Sequence, residues 1–70
     1  MNTPLYSDEQ VTRYMKAVAG NFVLCGMVLC VELAQSAAKA FFVPVDDMET
    51  FDHFVDIAFE VAHWYEEEHS

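Results

Sequence analysis

Seventy residues make one small domain at most, and a chain of this length buries only about 60% of the surface that its unfolded form exposes. A hydrophobic fraction of 54% speaks against disorder despite a net charge of −9, and three basic residues against twelve acidic ones speak against direct binding to a phosphate backbone. What remains is a compact, marginally stable, acidic chain that needs support from a disulfide, a metal or a second subunit.

Residues 1–6 contain Pro4 and no periodicity, which reads as a short extended arm. Ser7 followed three residues later by Gln10 is a capping-box pattern, with Asp8 and Glu9 in the first turn, where the helix dipole favours acids. Tyr6 is placed to staple onto Val11, so a helix is expected from about Asp8. No proline or turn cluster interrupts the chain before Val43-Pro44, and the spacing predicts one helix over about 8–42, roughly 50 Å long. Gly20 and Gly26 are its only irregular positions, candidates for a kink or a close helix contact.

Val11, Met15, Val18, Phe22, Cys25 and Leu29 recur at alternating spacings of four and three, the seam of a helix pair. From Phe22 to Val31, however, the sequence FVLCGMVLCV is apolar on every side. A single neighbouring helix cannot cover a helix that is oily all round, so self-association is expected through Val18, Phe22, Cys25, Met27 and Leu29. Ala34, Ala37, Ala38 and Ala40 then permit close helix approach before the bulky Phe41 and Phe42.

Val43-Pro44 ends this helix, because the residue before proline is pushed out of the helical region and proline has no N–H to donate. After a turn over 43–46, Asp46 and Glu49 repeat the capping-box logic for a second helix over about 47–67. Met48, Phe51, Val55, Ala58, Ala62 and Tyr65 form its main apolar face, widened by Phe54, Ile57, Val61 and Trp64. So short a connection makes the helices antiparallel neighbours. The expected fold is all-α: a two-helix antiparallel hairpin in one domain over 1–70, dimerising into a four-helix arrangement.

Ala17 to Val31 is an uncharged stretch of fifteen residues, short of the roughly 20 that cross a bilayer, so no membrane span is expected. Acids among residues 1–10 argue against a secretory leader. Cys25 and Cys30 point about 140° apart on one helix and cannot bridge within it. Buried thiols of this kind suit a reducing compartment, and a cytoplasmic location is expected.

The charge is very uneven. Residues 1–44 balance three acids against three bases, whereas residues 45–70 carry nine acids and no lysine or arginine. Glu49, Asp56, Glu60 and Glu67 fall on one line of the second helix, with Asp52 and Glu66 beside it. Such a face either solubilises an oily assembly or docks onto a basic surface. Glu66, Glu67 and Glu68 also crowd a helix C-terminus, where the dipole disfavours anions, and Trp64 next to them is a candidate anchor.

His53, Asp56, Glu60 and His63 lie at spacings of three, four and three, which would suit a divalent metal if other helices supplied ligands; the first helix offers only Glu32, and no metal or other cofactor is assigned. Cys25 and Cys30 sit in surroundings that suppress thiol reactivity, Ser7 and Ser36 have no base nearby, and no phosphate loop or zinc motif is present, so an enzyme is not expected. The reading is of a small acidic protein-binding module, in the style of phage and mobile-element inhibitors that mask a basic or nucleic-acid-binding surface of a host protein. Glu49, Asp52, Asp56, Glu60, Trp64, Glu66 and Glu67 would form the contact. Its alternatives are a module that inserts its apolar first helix into a partner groove or a transcription regulator's dimer interface, and a small metal-binding bundle.

Overall fold

The computed structural model describes residues 6–24 and 29–68, apart from the side chains of residues 23, 24, 29 and 30. Among the described residues there are three helices: α1 over Asp8–Leu24, α2 over Leu29–Ala40 and α3 over Met48–Glu68. No helix among them is long and apolar enough to cross a membrane.

The single helix expected over 8–42 is in fact two. Tyr14 on α1 meets Ser36 on α2 through a 2.6 Å hydroxyl–hydroxyl hydrogen bond, and the Tyr14 and Phe41 rings pack edge to face at 5.7 Å. The start of α1 therefore lies beside the end of α2, and the two helices run antiparallel. The two-helix hairpin is thus replaced by an up-down-up bundle of three helices.

Three of the boundaries have a visible cause. The Ser7 N–H donates to Gln10 Oε1 at 2.7 Å while the Gln10 N–H donates to Ser7 Oγ at 3.2 Å, the reciprocal cap expected for α1. At the other end of the hairpin, the Val43 N–H bonds the Ala38 carbonyl and the Phe42 N–H bonds the Lys39 carbonyl, which makes a Schellman stop for α2. The position that normally takes glycine in that motif is Phe42, with φ of 58°. A Cβ there costs about 1 kcal/mol.

The cap of α3 is Asp47, not Asp46. Its Oδ1 accepts the Thr50 N–H at 3.1 Å, its Oδ2 accepts the Thr50 hydroxyl at 2.6 Å, and its carbonyl accepts the Phe51 N–H. The helix starts one residue later than the Asp46–Glu49 pattern implies, because a turn from the Pro44 carbonyl to the Asp47 N–H occupies the intervening residues. The two bonds from Thr50 hold the Asp47 carboxyl below its ordinary pKa.

The core is continuous through all three helices. Val11, Met15 and Ala19 come from α1, Leu33, Ala34 and Ala37 from α2, and Phe54, Ile57, Ala58 and Val61 from α3. Tyr6, Phe41 and Phe54 close its lower end with ring centroids 5.3 to 6.3 Å apart. The apolar face of α3 is rotated from the one the spacing predicts: Phe54, Ile57 and Val61 are its centre, and Met48 is 59% exposed. With α1 and α2 both packed on it, α3 buries the side that faces their junction. No buried side-chain N or O atom lacks a partner among the described residues.

Candidate protein-docking face

Burying Phe54, Ile57, Ala58 and Val61 inward sends the opposite side of α3 to solvent, and that side carries the acids. Glu49, Asp52, Asp56, Glu60, Glu66 and Glu67 are all exposed. With 100° per residue, Asp52, Asp56 and Glu60 lie within about 80° of one another on a face that points away from the core. Asp52, Asp56 and Glu60 make no hydrogen bond or ion pair among the described residues.

The few basic side chains are directed elsewhere. Arg13 reaches Glu9 at 3.4 Å on α1, and Lys16 lies with Nζ 4.8 Å from the centre of the Trp64 ring. Lys39 is on α2. The outer face of α3 thus presents negative charge with no lysine or arginine interleaved, a field that attracts a basic surface at a distance and screens with salt.

Two aromatic residues of α3 bear on this face. Trp64 is half-buried against the core and sits beneath Lys16, with the Tyr65 ring 6.4 Å away, so most of its surface is engaged inside the chain. Phe59 takes the exposed aromatic position instead. It is 58% exposed, three residues after Asp56 and just before Glu60 on the outward side. Sequence reasoning passed over it because it falls outside the apolar periodicity of α3; that misfit is the signal that could have found it.

The histidines are not gathered into a site. His53 Nε2–H donates to Asp8 Oδ1 at 2.8 Å, tying the start of α3 to the start of α1, while His63 pairs with Glu67 at 2.7 Å. Among the described residues, no three of His, Cys, Asp and Glu converge as a metal site would require. Of the residues expected to drive self-association, Val18 and Phe22 are half-buried against the intramolecular core. Cys25, Met27 and the side chain of Leu29 lie outside the described residues.

A groove of about 430 Å³ runs between α2 and the connection to α3, lined by Ala38, Val43 and Phe51, with Glu32 and Lys39 on its α2 wall. It lies apart from the acidic face. No family model, curated protein or solved structure matches this chain.

Proposed function

We propose that this protein is an acidic docking module that binds a basic surface of another protein, such as a nucleic-acid-binding surface, and masks it. The observation that carries the reading is the outer face of α3, where the exposed Phe59 lies beside a line of acids, Asp52, Asp56 and Glu60, that have no partner among the described residues. A purely solubilising face has no use for a large exposed apolar ring beside its acids. A binding face does, because aromatic anchors supply affinity while surrounding charges supply steering and selectivity. Glu49, Glu66 and Glu67 extend the field along the helix.

Capture of a basic partner from lysate by the immobilised protein tests this. Reversing two charges together, Asp56→Lys with Glu60→Lys, abolishes capture while leaving the helical content and melting curve unchanged, since both side chains are exposed. Undiminished capture by that variant would show that the acids only solubilise the bundle.

A further inference from the structure

We infer that the outer face of α2 is a second interaction surface, and that its occupant is α2 of a second copy of this chain, packed antiparallel about a twofold axis. The inference is independent of the role given to the acidic face of α3.

At −9, two copies repel one another on most approaches, and the outer face of α3 is the least suitable place for them to meet. Helix α2 is the exception: its charged residues are one acid, Glu32, and one base, Lys39. Neither makes an ion pair among the described residues, whereas Arg13 and Lys16 on α1 are engaged with Glu9 and Trp64. Glu32 and Lys39 both line the groove, seven residues and two turns apart on the same face, about 10 Å along the axis.

That spacing is self-complementary. When two α2 helices lie antiparallel with the axis midway between Glu32 and Lys39, each Glu32 meets Lys39 of the other copy, and the pairing occurs twice. Gln35, exposed at the middle of the face, sits beside the axis, where its amide and that of the second copy can hydrogen-bond.

The apolar residues fit the same arrangement. Val31 is 46% exposed at the start of the face, and Phe42 is 86% exposed just past its end. An antiparallel pairing brings the two ends together, placing Phe42 of each copy near Val31 of the other. Phe42 is also the residue held at φ of 58°, where glycine would relieve the backbone. A strained, exposed phenylalanine has a reason to stay if its ring is buried on association. The contact is confined to one short helix and its exit, at the small end of specific interfaces, so the pair dissociates in the micromolar range.

Sedimentation equilibrium over a concentration series provides the test, with a charge swap as its control. The wild-type chain dimerises, Glu32→Lys and Lys39→Glu each weaken the dimer about tenfold or more by setting like charges opposite one another, and the double swap restores it. Phe42→Gly raises the melting temperature of the monomer and weakens the dimer, a combination that no purely structural role produces. The inference is overturned by a chain that remains monomeric throughout the series, by single variants that dimerise like the wild type, or by a double swap as weak as either single change. It is equally overturned by a dimer that Phe42→Gly leaves as strong as the wild type.

Discussion

The inner and outer faces of α3 share one backbone and differ in almost every other respect. The inner face sets Phe54, Ile57, Ala58 and Val61 against two other helices with essentially no solvent contact. Across the helix, Asp52, Asp56, Phe59 and Glu60 make no hydrogen bond, ion pair or ring contact with another helix among the described residues. Stability is therefore concentrated on one side of the helix and is insensitive to the other. A side that contributes so little to folding is free to be specialised for a partner.

Substitutions can break this division or sharpen it. Phe54→Ala removes the largest fully buried side chain, which packs against Tyr6 and Phe41, and is expected to destabilise the fold by about 3–5 kcal/mol. In so small a domain that leaves little folded protein, and loss of far-ultraviolet helical signal at room temperature checks it.

Backbone relief acts in the opposite direction with smaller effect. Phe42→Gly removes the strain at the end of α2, and Gly20→Ala adds a methyl group that would meet nothing within 4 Å. Each should stabilise by about 1 kcal/mol, seen as a rise of about 4–8 °C in thermal melts. Failure of Gly20→Ala to stabilise would place a close contact at the position where the structure has open space.

The Asp47 cap sets an acid-sensitive contribution. Because bonding to Thr50 lowers the folded-state pKa, the stabilisation is fully present above the unfolded pKa and is lost as pH falls through the folded value. Melting temperature should therefore drop on acidification below the usual carboxylate range, and Asp47→Asn should flatten that dependence. A profile unchanged by Asp47→Asn would assign the acid sensitivity elsewhere.

The smallest expected effect on stability is the most informative about the outer face. Asp56→Asn and Glu60→Gln should move the melting temperature very little, since neither carboxylate has a partner among the described residues. A marked loss of stability would mean that the face is structural after all.

Much of this arrangement is legible in the sequence, and the illegible part has a physical cause. Ser7 with Gln10 announces α1, Val43-Pro44 announces the end of the hairpin, and the acids of residues 45–70 announce a charged outer surface. The division into α1 and α2 is hidden because helix breaks are normally recognised by polar residues and proline, and the run from Phe22 to Val31 has neither. Only Gly26 interrupts it, and one glycine is also tolerated inside a helix.

That missed division propagates into the site. With two helices rather than one covering α3, the buried arc turns toward Phe54, Ile57 and Val61, Trp64 is drawn in beneath Lys16, and Phe59 is left outside among the acids. Periodicity reports that a helix has an oily side. It does not report how many neighbours share that side, and the neighbours decide which residues lie at its edges.

Ionic strength tests the central claim most directly: the affinity of the protein for its captured basic partner, measured from low to high salt. The account predicts a steep fall in affinity with rising salt, and a much shallower one for the Asp56→Asn/Glu60→Gln double variant, because fewer charges are then neutralised across the contact. An affinity that does not change with salt would contradict it and move the binding surface away from the acidic face of α3.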